Sequence, residues 1–330
     1  MSSEPIEIAL PSDENYFPGL LVTVYSISKN ANPDVKLSFN ILDGGIKDDS
    51  FRLLKESSER VHPRVTFQRY KINELDFADF PSWKGNKMTY VRYLLPKLLS
   101  DKKFVIYADS DCLWLANVDE IWKRRDVKII LQGVNDAWGE KTERPWFESH
   151  GLTFSEDKYF CNGLILMNLD LFREEHIIEK CTSFTTSYPD AQYADQSAFN
   201  HVIGKRARLL PSLFNFFTRD LTLSGITAPV VLHFANDIPW RDQYAPNIFL
   251  PPYKLLWIKY YADARGRPFE WACRECGYRY NKILQTIILC AMPRTWTRHF
   301  IYGCLLICGM RRTVDMLRHF AGKCGNVIHD

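Results

Sequence analysis

Over its first hundred or so residues the chain alternates short apolar runs with longer helix-patterned stretches, in units of about 30 residues. Runs over 6–10, 37–42, 65–67 and 104–108 read as strands; 18–27, 46–60 and 88–99 read as helices. The second run is stopped by Asp43-Gly44-Gly45, a turn signal. Strand–helix units of this kind specify an α/β fold, a doubly wound, mainly parallel sheet flanked by helices. Further runs over 127–131, 163–168 and 230–233 are expected to continue the same sheet. The polar loop 11–16, after the first strand, should then lie beside the central strand. In such a sheet ligands bind just beyond the carboxyl ends of the strands.

The run 104–108 ends in two carboxylates separated by one residue, Asp109 and Asp111. Carboxylates emerging together repel by about 4 kcal/mol at roughly 4 Å and an effective dielectric near ~20. A hard divalent cation relieves that repulsion and prefers oxygen ligands. It could in turn neutralise the phosphate oxygens of a nucleotide. Two other readings of Asp-x-Asp compete: a solvated strand-end turn, and a phosphatase-type motif with a nucleophilic first Asp. The second usually sits on the first strand with Thr or Val two residues on, whereas here Leu113 holds that place a third of the way along.

Composition narrows the class. The formal net charge is only +3 over 330 residues, so the chain carries no overall nucleic-acid footprint. The charge is uneven, with nine Lys/Arg against two Asp/Glu between Cys273 and Cys324. The chain begins polar and acidic rather than as a signal peptide, and its nine cysteines sit mostly among apolar residues. The expectation is a reducing, cytoplasmic location. No stretch reaches the roughly 18 to 20 apolar residues that a membrane span needs.

Six ordered motifs carry a family likeness: Asp13-Glu-Asn-Tyr16, Thr89-Tyr-Val-Arg-Tyr93, Asp109-Ser110-Asp111, Phe160-Cys-Asn-Gly-Leu-Ile-Leu-Met-Asn-Leu169, Tyr193-Ala-Asp-Gln196, and His233-Phe leading to Pro239-Trp240. Over residues 6 to 245 the chain resembles the retaining glycosyltransferases of family 8, in particular bacterial lipopolysaccharide galactosyl- and glucosyltransferases. The resemblance implies a GT-A fold, a UDP-hexose donor, a glycan or lipid-linked saccharide acceptor, and Mn²⁺ (or Mg²⁺). It implies metal ligands Asp109, Asp111 and His233, and a donor site drawn from Asp13, Asn15, Arg92, Ser110, Asn162, Gly163 and Asn236. Asp195 would fix a donor hydroxyl and Gln196 would face the anomeric carbon. An amide is a poor nucleophile, so front-side attack is the expected route to retention, with the diphosphate taking the acceptor proton. Asp136 and Trp138 are candidates for the acceptor side.

Each residue also has a plainer reading. Asp13 and Asn15 suit a turn or helix cap, Arg92 a surface cation, His233 a structural histidine, and Asp195-Gln196 the first turn of a helix. One departure stands out. Relatives usually carry Gly and Lys between the His and the Pro-Trp; here Asn236 and Ile238 stand in that segment, which is one residue shorter. Arg241 could supply the charge, or donor affinity is weaker, so the alternative is a catalytically weak or inactive nucleotide-sugar-binding protein on the same fold.

The expected division is a catalytic domain over 1–260 and a basic, Cys-rich helical region over 261–330. Apolar runs over 283–292 and 300–310, spaced and followed by Arg294, Arg298, Arg311, Arg312, Arg318 and His319, read as an interfacial anchor for an anionic membrane surface. A helical pair packed on the domain is the competing reading. Cys273-Arg-Glu-Cys276 has zinc-knuckle spacing without a second pair.

Overall fold

The first four apolar runs all become strands, β1 (Ile6–Ser12), β2 (Leu37–Asp43), β3 (Val65–Lys71) and β4 (Phe104–Ala108), paired in parallel in the order β3-β2-β1-β4. The computed structural model describes residues 4–83, 85–152, 158–218, 229–235, 237–240 and 252–278. Helix α1 (Phe17–Asn30) opens with Pro18 in its first turn, where a missing N–H costs nothing. Leu20, Leu21 and Val24 of α1 are fully buried, each contributing about 1.5–3 kcal/mol. β2 is buried at every position, as a central parallel strand requires, whereas edge strand β3 alternates. Helix α2 (Asp48–Glu59) crosses back between them.

Three expectations need correction. The 88–99 stretch is not one helix but a 3₁₀ segment, Met88–Leu94, followed by the single turn α3 (Leu95–Leu98). Pro96 has no N–H to give the Arg92 carbonyl, so the Leu95 N–H takes it and tightens the winding. The strand expected over 127–131 starts only at Leu131, because Asp126 turns the chain: its carboxylate accepts from Lys128 N (2.9 Å) and its carbonyl from Ile129 N (3.1 Å). The run over 230–233 does not join the main sheet. It forms β10 (Val231–His233) in a small sheet, with β5 (Cys112–Trp114) antiparallel on one side and β9 (Phe216–Phe217) parallel on the other.

Beyond β5 come α4 (Asp119–Trp122), β6 (Leu131–Asn135), α5 (Ala137–Ser149), β7 (Phe160–Asn168), α6 (Leu169–Glu174), α7 (Ile177–Ser187), α8 (Asp195–Val202) and β8 (Arg208–Leu210). The main sheet has seven strands, order β3-β2-β1-β4-β7-β6-β8, mostly parallel, with β7 running against both of its neighbours. Its nine residues are all buried, so an apolar run gave no clue to its direction. The described residues up to 235 form one compact unit. Those from 237 on belong to a second, with α9 (Pro252–Arg265), which runs through residue 260, and α10 (Phe269–Glu275). Trp240, Trp257, Tyr261 and Trp271 stack in series within it. Cys273, in α10, and Cys276, the residue that follows it, are both buried. Residues 279–330, including both apolar runs of the tail, lie outside the described residues, and no helix among those described is long and apolar enough to cross a membrane.

At the end of β2, Asp43 accepts from Gly45 N (2.8 Å), Ile46 N (2.6 Å), Arg69 Nε (2.6 Å) and Lys71 Nζ (2.5 Å). Burial alone would raise this carboxyl, but Lys71, the two amides and Arg69 outweigh it and hold it below its ordinary value. Asp43→Ala is expected to cost about 3 kcal/mol in urea unfolding, since it leaves two loop amides without their acceptor and takes from Arg69 the buried one of its two carboxylates. The Asp43 contribution is present above the unfolded carboxyl value, near ~3.9, and is lost as pH falls through the lowered folded one. Stability measured from about pH 5 downward should therefore fall less steeply in Asp43→Asn than in wild type.

Candidate active site

Asp109 leaves the carboxyl end of β4 beside β1, and the segment 109–111 is tied down on three sides. Its Ser110 hydroxyl bonds the Pro11 carbonyl at the end of β1. Thr23 on α1 places its hydroxyl 3.0 Å from the Ser110 carbonyl and 2.7 Å from that of Cys112. Asp109 N donates to Gly163 O on β7 (2.8 Å), and Phe234 N to Asp111 O (3.0 Å). Antiparallel pairing of β10 with β5 sets His233 opposite Cys112, one residue from Asp111.

His233 Nε2 consequently lies 3.2 Å from Asp111 Oδ1. That oxygen is buried and has no hydrogen bond, so the two atoms approach without sharing a proton in line. On the other side of the ring, Nδ1 faces Asn215 Oδ1 at 2.9 Å, which favours a proton on Nδ1 and turns Nε2 toward the site, where it offers a lone pair once the ring is neutral. Asp109 is held by one oxygen, Oδ1, which accepts from Tyr107 OH (2.9 Å) and Arg92 Nη2 (3.3 Å). A β-carbon at position 163 would stand 2.3 Å from His233 Cε1 and 2.9 Å from Asp109 Oδ2. The absence of a side chain at Gly163 is therefore what lets the imidazole and the carboxylate meet. An orphaned buried carboxylate oxygen, an imidazole lone pair and a carboxylate across a side-chain-free gap fit a hard divalent cation. Among the described residues, Asp111, Cys112 and His233 form a group whose potential ligand atoms all lie within 4.8 Å of one another, and Asp109 stands outside it. Burial pushes the Cys112 thiol well up, and its Sγ points at Gly163 O (3.9 Å), so it is a packed neutral thiol rather than an oxygen-like ligand.

The charges are mutually dependent. Burial alone would depress His233, but Asp111 raises it well above its ordinary value. Asp109 is pushed up by burial and by Asp111, against the pull of Arg92 and His233. Arg92, on the 3₁₀ segment, is not a surface cation: it is 5% exposed and lies over the Tyr107 ring at 4.3 Å. Its Nη1 donates to Asn162 O (2.6 Å), its Nη2 faces Asp109, and its Nε lies 3.1 Å from Asp195 Oδ2. Asp195, 2% exposed, also accepts from Asn162 Nδ2 (3.0 Å) and from the Thr89 hydroxyl. Arg92 thus lies between the two carboxylates as an ion-pair partner of both, with its buried Nε facing Asp195 without a hydrogen bond.

Gln196 follows Ala194, whose φ of 50° is the kind of strained backbone found at functional turns. Its Oε1 accepts from Asn162 N (3.0 Å), and its Nε2 points at Asp136 Oδ2 and Tyr159 OH (both 3.3 Å). Asp136 is buried and caps α5 through Gly139 N (3.0 Å), while Trp138 is 62% exposed. Asp13 Oδ1 accepts from Tyr16 N (2.8 Å), as a capping residue would, and Asn15 is exposed. Asn236 and Arg241 lie outside the described residues. The structure thus brings together Asp109, Asp111, His233, Gly163, Arg92, Asn162, Asp195, Gln196 and Asp136. Residues that sequence reasoning missed are Thr23, Tyr107, Tyr159 and Asn215. Thr23, Tyr159 and Asn215 act through partners distant in sequence, and Tyr107 through Asp109 two residues on and the Arg92 guanidinium over its ring.

A mostly parallel sheet with acidic residues at the carboxyl end of its central strand and a small second sheet closing over them is the GT-A architecture. Residues 7–243 match the family profile described as glycosyl transferase family 8. The chain belongs to that family. A Haemophilus influenzae protein assigned as a glycosyltransferase is 27% identical over 224 residues, covering 67% of this chain and 66% of that protein, just under two thirds of its length. The lipopolysaccharide 1,3-galactosyltransferase of Salmonella typhimurium is 22% identical over 258 residues, 73% of this chain and 74% of that one. Among solved structures, the galactosyltransferase LgtC in complex with donor and acceptor sugar analogues superposes with a TM-score of 0.66 at 24% identity, covering 81% of this chain and 99% of that one.

Gly163→Ala is expected to lower Mn²⁺ affinity at least about tenfold in calorimetry while the far-ultraviolet spectrum stays native, because the new methyl displaces the imidazole. Metal must also displace the proton that Asp111 favours on His233. Affinity should therefore rise with pH, and calorimetry in buffers of different ionisation enthalpy should register proton release on binding.

Proposed function

We propose that this protein is a glycosyltransferase that moves a hexose, galactose or glucose, from a UDP-sugar to a glycan or lipid-linked saccharide with retention of configuration. The observation that carries the reading is the cross-strand placement of His233, which leaves Asp111 Oδ1 buried, unbonded and 3.2 Å from the imidazole. Asp109, Asp111 and His233 would hold Mn²⁺ or Mg²⁺. Bound there, the ion supplies Lewis-acid stabilisation of the departing diphosphate.

The remaining work falls to the chain. Asp13 and Asn15, after β1, are assigned to the uracil and ribose. Ser110 keeps the acidic segment against β1. Asn162 and Asp195 are assigned to the donor sugar hydroxyls, with Arg92 holding Asp195 in orientation. Gln196 stands at the reacting carbon, where its carbonyl oxygen can stabilise positive charge in a front-side displacement. The UDP leaving group takes the acceptor proton. Asp136 and exposed Trp138 are assigned to the acceptor, the indole offering an apolar face to a sugar ring. The name of the Salmonella relative and the sugar analogues bound by LgtC support a surface glycan such as a lipopolysaccharide core. The basic region after residue 260 is assigned to the cytoplasmic, anionic face of a membrane, as a peripheral attachment.

The test is UDP-hexose hydrolysis and transfer, with and without Mn²⁺. Slow, metal-dependent turnover is expected, with a loss of at least about a hundredfold in Asp111→Ala. Turnover that ignores both metal and the mutation contradicts the reading. UDP-hexose binding without turnover would instead favour a binding protein, the alternative raised by Ile238 in place of a cation. Proton NMR of the product anomer should show retained configuration, and an inverted product ends the front-side proposal.

A further inference from the structure

Glu143 on α5 has no solvent exposure and no role in the chemistry above. Its carboxylate is an acceptor at both oxygens. Oε2 accepts from Tyr159 OH at 2.8 Å; Oε1 accepts from the Ser197 hydroxyl and from Tyr193 N (3.3 Å). Tyr159 has one hydroxyl hydrogen, and that hydrogen is committed to Glu143. The Tyr159 oxygen can therefore offer only lone pairs to the Gln196 side chain, 3.3 Å away.

This fixes a polarity. An amide side chain can sit either way round in a pocket of its own shape, and its partners decide which. Facing Gln196 on one side are two acceptors, the Tyr159 oxygen and Asp136 Oδ2; on the other is one donor, Asn162 N–H. Only one orientation satisfies all three, with Nε2 toward Tyr159 and Asp136 and Oε1 toward Asn162. Gly139 makes the approach of the two acceptors possible, since a β-carbon there would stand 2.5 Å from Asp136 Oδ2 and 2.9 Å from Tyr159 Cε1. Asn200 bonds both the main chain of Phe160 and the Gln196 carbonyl, so α8 and β7 hold the same register around the amide.

We propose that Glu143 and Tyr159 are positioning residues that set the direction of the Gln196 amide, and so present its carbonyl oxygen to the donor sugar. The proposal rests on the reading of Gln196 as the residue at the reacting carbon. Glu143→Gln keeps size and shape but introduces a donor that can turn the Tyr159 hydroxyl round, which then donates to Gln196 and competes for its oxygen. Tyr159→Phe removes the relay altogether and leaves Asp136 alone on that side.

The experiment uses the full chain, labelled with ¹⁵N-glutamine, with the Gln196 side-chain amide assigned by its loss in Gln196→Ala. Both variants are expected to move that amide signal. Steady-state UDP-hexose hydrolysis with Mn²⁺ should show kcat lowered about tenfold or more, with donor KM within about twofold of wild type. A residue that merely supports the fold would not move the one amide signal or split kcat from KM in this way. A Gln196 signal that stays in place in both variants overturns the proposal, and so does a moved signal with unchanged kcat. If the signal moves while wild-type protein hydrolyses no UDP-hexose, the positioning stands and the sugar-transfer reading fails.

Discussion

Asp109, Asp111 and Asp195 are gathered at the carboxyl edge of the sheet with, among the described residues, one permanent cation, Arg92, between two of them. Ionised carboxylates in an interior are tolerated only when paired and hydrogen-bonded. Arg92 neutralises one charge and is shared by two residues, Asp195 at 3.1 Å and Asp109 at 3.3 Å. Asp111 is left to His233, whose imidazole can take up a proton and supply the balance. A divalent cation meets the same deficit without needing that proton. The rest of the site can be understood as whatever keeps these charges from moving apart.

That restraint comes from backbone as much as from side chains. Thr23 on α1 and the Pro11 carbonyl on β1 hold the 109–111 segment, while β5 and β10 carry it across to His233. Each piece is anchored to an element with a fully buried face, so the ligand atoms stay in place before any ligand arrives. Preorganisation of this kind lets a site act on developing charge without rearranging. Ala194, held at a positive φ just ahead of Asp195 and Gln196, fits the same pattern, in which strain is tolerated where two side chains must be aimed together.

Most of the sheet was legible from the sequence because period and turn signals reflect local physics. The direction of β7 was not, because a strand buried on both faces reads the same in either sense. The break at Pro96 could have been found, since a proline in a helical pattern removes a specific hydrogen bond. The acidic pair and the late histidine were legible as chemistry, yet their meeting depends on a cross-strand register that no local pattern encodes. Arg92 looked like a surface or phosphate-binding cation because its sequence neighbours say nothing of Asp195 a hundred residues on. Gly163 was read as part of the donor site; its importance lies in the side chain it lacks. Asn215 and Glu143 had no sequence signal at all, being defined by the single atoms they face.

The most direct test of this charge balance is electron paramagnetic resonance of free Mn²⁺ titrated with the full chain near neutral pH. The account predicts that wild-type protein quenches the six-line signal of free manganese with about one site per chain, and that His233→Ala and Asp111→Ala do so far more weakly. A signal unaffected by wild-type protein, or quenched equally by all three, would contradict it.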